Sequence, residues 1–357
     1  MPATSHDDTC DVCLVGAGPV GLELAVAMKR EGIDFRHFEA GQVGQTMSWW
    51  APGTRWFSSN ERISLCGIPL VTPDGSKATR EEYLAYLRQI VQAFDLRIRT
   101  FEPVAEIQRH DDGFTLVTQT RSAPRRTRCR KIILATGGTD FPRSLNVPGE
   151  DLPHVDGYFR EPHRYFGRRV LIVGGKNSAV EAALRCFHAG AHVSLSYRRA
   201  QLREESIKYW LLPEMKSLMK SGRIPAYFGT VVTRITPTHV TLQHCGPDYV
   251  PAGAAFDVET DDVLKLIGYE QDKRLLRGAG IDLVGEEQRP VFDERTMETN
   301  VPDIYVAGTA VGGTQDKFRI FLENCHVHVP RIVSHLLGRP APEERAPAEH
   351  VQLQPES

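Results

Sequence analysis

Asp11 to Val15 is a short apolar run that ends directly on Gly16-Ala17-Gly18-Pro19-Val20-Gly21, and Leu22 to Met28 then carries strong helix formers. A strand closing on G-x-G-x-x-G and opening a helix constrains the fold more than any other feature of this chain. The first glycine permits the tight turn, the second lets backbone approach a pyrophosphate, and the third lets helix and strand pack closely. Gly32 stops the helix, Ile33 to Phe38 returns as a strand, and Glu39 stands at its end. There a carboxylate accepts hydrogen bonds from both ribose hydroxyls and repels a 2′-phosphate, so this βαβ unit suits FAD or NAD better than NADP. Its candidate ligands are Gly16, Gly18, Pro19, Val20, Gly21 and Glu39.

The design recurs far downstream with the opposite charge. Arg169 to Val173 reaches Gly174-Gly175-Lys176-Asn177-Ser178-Ala179, a helical pattern runs to His188, Gly190 ends it, and Val193 to Tyr197 is the next strand. Arg198, Arg199 and Arg203 follow where the first unit has an acid. Guanidinium groups read phosphate in bidentate fashion, which selects NADPH over NADH. Lys176 replaces a usual third glycine, and the lysine itself is placed to meet phosphate. Two dinucleotide sites of different charge type imply electron transfer from NADPH through a bound flavin.

Between the units, Glu81 to Phe94 reads as a helix, 105–108 and 113–118 as small alternating strands of an antiparallel sheet with Arg-rich turns around Arg121 to Arg130, and Lys131 to Gly137 as a buried strand closing on glycine. After the second unit come a helix at Ile207 to Ser221, strands near Val231 and at His239 to Gln243, and a strand at Asp262 to Ile267. A strand at Ile304 to Gly308 and a long helix at Phe318 to Leu337 follow; 338–357 reads as a disordered tail. Lysine and arginine total 43 against 45 acids, a net charge of −2, so no whole-chain charge draws nucleic acid or anionic lipid. Seven scattered cysteines fit a reducing cytoplasm better than a secreted disulfide framework, and neither a signal peptide nor a membrane span is expected.

The order of these motifs resembles the two-domain pyridine nucleotide-disulfide oxidoreductases of thioredoxin reductase type, over about residues 9 to 337. The resemblance implies an α/β fold of two Rossmann-like, three-layer ββα domains, with the NADPH domain inserted in the FAD domain. On that reading 9–150 and 271–337 form the FAD domain, 151–270 the NADPH domain and 338–357 the tail. Domain rotation about the crossings near Glu150 to Tyr158 and Gly268 to Asp272 would be part of the catalytic cycle. Ala135-Thr136-Gly137 with Pro142 looks like the family's second FAD signature, and Asn300 to Gly308 like its third. Thr309 stands where the family usually has an aspartate, leaving the ribityl and pyrophosphate contact to backbone or to its hydroxyl.

A closer resemblance is to the bacillithiol-disulfide reductase (YpdA) family. It is carried by Phe57-Ser-Ser, Gly174 to Ala179, Ser206-Ile-Lys208, Trp210-x-Leu-Pro213, Ile267-Gly-Tyr269 and Ile320-Phe-Leu-Glu-Asn324. It implies a homo-oligomeric, NADPH-dependent flavoprotein acting on a small-molecule or disulfide substrate. That family keeps its working thiol inside the first glycine loop, where this chain has Val20. Cys66 and Cys325, in segments expected near the flavin, are the remaining thiol candidates, whereas Cys10 and Cys13 form a C-x-x-C whose second member falls inside the first strand and reads as packing. Trp49, Trp50 and Trp56 either wall the flavin pocket or pack between domains. His326 and His328, two apart on an expected helix, cannot share a face, and no metal site is expected. Alternative acceptors are O₂, in a flavin monooxygenase or oxidase, and a protein partner such as ferredoxin.

Overall fold

The structure, a computed structural model, describes residues 8–316 and 319–340, and the chain divides into two compact units. Among the described residues, unit 1 comprises 8–48, 58–141, 270–316 and 319–340, and unit 2 comprises 49–57 and 142–269. Among the described residues no helix is long and apolar enough to cross a membrane. The expected tail beyond 340 lies outside the described residues.

Unit 1 begins with β1 (Asp8–Val15), α1 (Pro19–Arg30) and β2 (Phe35–Phe38), followed by α2 (Arg80–Ala93), β3 (Ile98–Arg99), β4 (Val104–His110), β5 (Gly113–Gln119) and β6 (Pro124–Leu134). The sheet order is β3-β2-β1-β6-β5-β4, with the strand Ile304–Val306 also on β6. β6 serves two partners on one side: its first half pairs antiparallel with β5 and its last three residues pair parallel with Ile304–Val306. The small antiparallel strands expected at 105–108 and 113–118 therefore extend the parallel sheet, and the stretch to Arg130 expected as turns is from Pro124 the first part of β6, held as strand by its pairing with β5. α2 starts on a full capping box between Thr79 and Glu82, worth about 1 kcal/mol. Leu14, Leu22, Leu24, Met28, Phe38 and Ile133 are fully buried; the register places Leu14 and Ile133 on one face of the sheet and Phe38 on the other.

Unit 2 holds β7 (Arg169–Val173), α3 (Asn177–His188), β8 (His192–Tyr197), α4 (Leu212–Lys220), β9 (Ala226–Phe228), β10 (Thr230–Ile235), β11 (His239–Cys245), β12 (Pro251–Glu259) and β13 (Asp262–Lys265). β9-β8-β7-β13 and the short strand Val155–Asp156 make a parallel sheet, and β10-β11-β12 an antiparallel one. One apolar cluster packs α3 and α4 against the parallel sheet; a second joins Leu171 and Val173 to Val232, Val240 and Leu242 of the antiparallel one.

Two expected helices are shorter than read. Pro213 sits in the first turn of α4, so the helix starts at Leu212 rather than at Ile207, and Glu204–Ser206 is a 3₁₀ turn. In unit 1 the last long helix, α5, spans only His328–Leu336; Gly308–Gly312 and Leu322–Asn324 are separate 3₁₀ turns before it. The first part of the expected helix, from 319 to 327, is instead irregular backbone around the 3₁₀ turn Leu322–Asn324, and residue 318 lies outside the described residues.

Candidate functional site

The first glycine loop is built by exclusion. A Cβ on Gly16, whose φ is +105°, would lie 2.4 Å from the Ala135 carbonyl oxygen, and one on Gly21 would lie 2.0 Å from the Gly16 oxygen. Nothing approaches within 4 Å of the place where Gly18 would carry a Cβ. Gly18 is the N-cap of α1, which has no side-chain cap and no acid in its first turn; Pro19 has no N–H, so Val20 and Gly21 carry the leading amides that lack an intrahelical acceptor. Glu39 accepts hydrogen bonds from the Ala17 and Gly41 amides, each at 2.7 Å. Burial raises its carboxyl pKa, and these amides oppose the shift. This cradle fits a dinucleotide pyrophosphate at Gly18 with a ribose at Glu39.

Two further segments of unit 1 close on the loop. The Ala135 amide donates to the Val15 carbonyl, so the 135–137 turn leaves the sheet beside Gly16. Gly308 has φ +68°, and a Cβ there would touch the Val20 side chain at 3.3 Å. Position 20 of the glycine loop thus packs directly on the third segment. Gly138 lies against the Thr309 carbonyl, and the Thr309 Oγ1 is 4.0 Å from where a Cβ on Gly137 would sit.

Three residues that carry no sequence motif lock these pieces together. His37, buried in β2, has Nε2 2.8 Å from the Gly16 carbonyl; since that oxygen only accepts, Nε2 bears the proton. Burial lowers the ring's pKa to about 4, with the Gly16 bond working against the shift. His328 accepts from the Gly308 amide through Nδ1 at 3.1 Å, and burial also holds it down at about 4. Gln271 donates from Nε2 to both the Gly137 and Ala310 carbonyls, tying the second segment to the third. A histidine or glutamine one turn away in space leaves no periodic trace.

The thiol candidates are not activated. Burial pushes Cys66 up to about 12, with the Glu23 carboxylate adding to it, and raises Cys325 further still. The Cys325 thiol donates to the Phe321 carbonyl at 2.9 Å. His326 precedes α5 and sits between Glu23, at 2.8 Å, and the Arg62 carbonyl; burial opposes its charge, but the Glu23 carboxylate wins and raises its pKa. Cys10 and Cys13 approach to 3.7 Å between sulfurs, and Cys13 is fully buried beside Cys129.

In unit 2, Gly174 has φ +141° and lies against the Leu266 carbonyl, where a Cβ would come to 2.3 Å. Lys176 is the N-cap of α3, which again has no side-chain cap and no first-turn acid; Asn177, Ser178 and Ala179 form that turn. Asn177 is fixed by its Oδ1, which accepts from the Lys208 amide at 3.2 Å, while the buried Lys208 ammonium bonds Glu181 and the Arg55 carbonyl, both at 2.7 Å. Arg198 and Arg199 lie over the Tyr249 ring, at 4.4 and 5.5 Å from its centroid. Arg203 instead pairs with Glu205 at 2.7 Å. Uncapped amides beside paired arginines fit a phosphorylated dinucleotide. The three tryptophans also belong to this unit: Trp50 packs edge-on against Trp56, Trp49 against Tyr158, and Arg185 bonds Thr54 and the Pro52 carbonyl.

A family profile described as pyridine nucleotide-disulphide oxidoreductase matches residues 13–308. The chain is 33% identical over 326 residues to the bacilliredoxin reductase Bdr of Bacillus subtilis, covering 91% of this chain and 97% of that protein. It is 26% identical over 301 residues to a ferredoxin–NADP reductase of Ignicoccus hospitalis, covering 84% and 89% respectively. Among solved structures, the bacillithiol disulfide reductase Bdr (YpdA) of Bacillus cereus superposes with a TM-score of 0.86 at 33% identity, over 93% of this chain and 99% of that one.

Proposed function

This chain belongs to the pyridine nucleotide-disulphide oxidoreductase family, and from that membership we propose that it reduces the disulfide of a low-molecular-weight thiol. It is an oxidoreductase with FAD and NADPH as its cofactors. The overall reaction consumes NADPH, one proton and a disulfide, and yields NADP⁺ and two thiols. The bound flavin supplies the two-electron relay between hydride donor and disulfide.

The chain's own residues divide the work. Gly18 and the leading amides of α1 hold the FAD pyrophosphate, and Glu39 takes the adenosine ribose; Pro19, Val20 and Gly21 form the adjoining turn. Ala135, Thr136 and Gly137 face the cofactor from the second segment, and Gly308 with Thr309 from the third. Gly174 to Ala179 hold the NADPH pyrophosphate, while Arg198 and Arg199 take its 2′-phosphate, with Arg203 held in reserve by Glu205. The observation that carries this division is the change from a carboxylate after β2 to paired arginines after β8. Burial holds the Cys66 and Cys325 thiols protonated, so neither position would supply a thiolate toward the disulfide.

The test is anaerobic titration with NADPH followed by separate additions of a low-molecular-weight disulfide, O₂ and a one-electron acceptor. We expect visible flavin absorbance to bleach with NADPH and return with disulfide, two thiols appearing per NADPH. A protein that stays colourless after refolding with excess FAD overturns the cofactor assignment. Recovery with O₂ or the one-electron acceptor alone overturns the disulfide.

A further inference from the structure

The two glycine loops can be aligned by hydrogen bond rather than by sequence. The Gly16 amide donates to the Phe38 carbonyl at 2.8 Å, and the Gly174 amide donates to the Ser196 carbonyl at 2.9 Å. The parallel registers agree, with Val15 opposite Phe38 and Val173 opposite Ser196. The next residue is Glu39 in one unit and Tyr197 in the other. Tyr197, not an arginine, therefore occupies the strand-end place from which Glu39 addresses a ribose.

Its side chain is placed for a ligand. A Cβ on Gly175 would lie 2.3 to 2.5 Å from three atoms of the Tyr197 ring, so the ring rests against the loop at the residue matching Ala17. Glu39 reaches the same place, where its carboxylate takes the Ala17 amide. Tyr197 is 6% exposed, yet its hydroxyl has no hydrogen-bond partner among the described residues. An unpaired buried hydroxyl is costly and rare in folded proteins. Burial raises the phenol's pKa, so it stays a donor at neutral pH, and the charges of Arg199, Arg203 and Arg198 act on it. A neutral donor set among three arginines matches a phosphate monoester oxygen.

We propose that Tyr197 is a specificity-determining residue for the nicotinamide dinucleotide, its hydroxyl donating to the 2′-phosphate that Arg198 and Arg199 attract. This deepens the assignment of unit 2 to NADPH and rests on it. One strand-end position then selects in opposite senses in the two units: the Glu39 carboxylate repels a 2′-phosphate, whereas the Tyr197 phenol satisfies its own hydroxyl by binding one. Gly175 is required because any side chain there would drive the ring off the loop.

The test uses the FAD-loaded protein, with adenosine 2′,5′-bisphosphate and 5′-AMP as probes in calorimetry, so that turnover plays no part in the readout. Tyr197→Phe keeps the ring and removes only the hydroxyl. The expected result is about 5- to 20-fold weaker binding of the bisphosphate, less than twofold change for 5′-AMP, unchanged flavin content and a thermal midpoint no lower than the parent's, since the variant removes an unpaired hydroxyl. Gly175→Ala is the second variant, expected to weaken the bisphosphate at least as much. If Arg198→Ala with Arg199→Ala weakens the bisphosphate while Tyr197→Phe does not, the role of Tyr197 is overturned and the NADPH assignment stands. If the arginine variant binds it as the parent does, the NADPH assignment itself fails. Equal losses for both probes in Tyr197→Phe also overturn the proposal, since they mark a general packing role.

Discussion

His37 Nε2 and the Gly16 carbonyl oxygen are 2.8 Å apart, so a neutral imidazole at the end of β2 holds the first turn of the FAD loop. An imidazole buried in this way makes the fold sensitive to acid. In the unfolded chain His37 takes up a proton near its ordinary 6.5, whereas in the folded protein burial delays this to about 4. Between those values the unfolded state binds more protons, so the contribution is complete above pH 6.5 and is lost as the pH falls toward 4, by up to about 3 kcal/mol. His37→Gln keeps a donor for Gly16 without a titrating ring. Urea unfolding of both proteins at pH 7.0 and 4.5 should show the difference between them shifting by about 2–3 kcal/mol in favour of the variant at low pH. Parallel pH profiles would show that His37 is not buried neutral.

Val20 and Gly308 make a second testable pair. Gly308→Ala adds a methyl at φ +68°, 3.3 Å from Val20. The left-handed backbone and the crowding together should cost about 1–3 kcal/mol and lower the flavin content of the purified protein. Val20→Ala clears the space, so the double variant should lose less than the two single losses added together. Strict additivity would refute the packing of the glycine loop on the third segment.

What the sequence carried and what it hid separate along physical lines. Gly16, Gly18, Gly21 and Glu39 were legible because each answers a local backbone or charge requirement written within one βαβ unit. The helix ends were less legible: Pro213 sets the start of α4 beyond Ile207, and the 3₁₀ turn Leu322–Asn324 takes up part of the stretch that apolar spacing assigned to the last helix. His37, His328 and Gln271 left no local signal, because each acts on a backbone group brought to it by tertiary packing, and Tyr197 left none because only the fold lays its ring against Gly175. The tryptophans carried an ambiguous one, since an aromatic cluster marks burial without saying against which unit.

The cysteines that remain after Val20 should prove dispensable. A thiol at about 12 is ionised to about one part in 10⁵ at pH 7, which removes its nucleophilic role. Cys66→Ser and Cys325→Ser are each expected to retain disulfide turnover within about twofold, with the Cys325 variant keeping a donor for the Phe321 carbonyl. NADPH-dependent thiol release measures this directly. A loss of more than tenfold in either variant, with its flavin still bound, would restore that thiol to the mechanism.

The arginines after β8 should differ in weight although all three follow one strand. Arg198 and Arg199 rest on the Tyr249 ring and hold no acid partner among the described contacts, whereas Arg203 is paired with Glu205. A guanidinium already committed to a carboxylate must exchange one charge-assisted bond for another to reach phosphate, so its net gain is small. Arg198→Ala combined with Arg199→Ala is expected to weaken NADPH by about 1.5–3 kcal/mol and to change NADH by less than 0.5 kcal/mol, roughly the scatter of a surface substitution. Arg203→Ala should fall below about 1 kcal/mol for NADPH, the range of an exposed ion pair. Flavin-reduction rates measured against both nucleotides give the three values. Equal losses for NADPH and NADH in the double variant would refute a 2′-phosphate site at these arginines, and an Arg203 loss as large as the double variant's would mean that the Glu205 pair opens when the nucleotide binds.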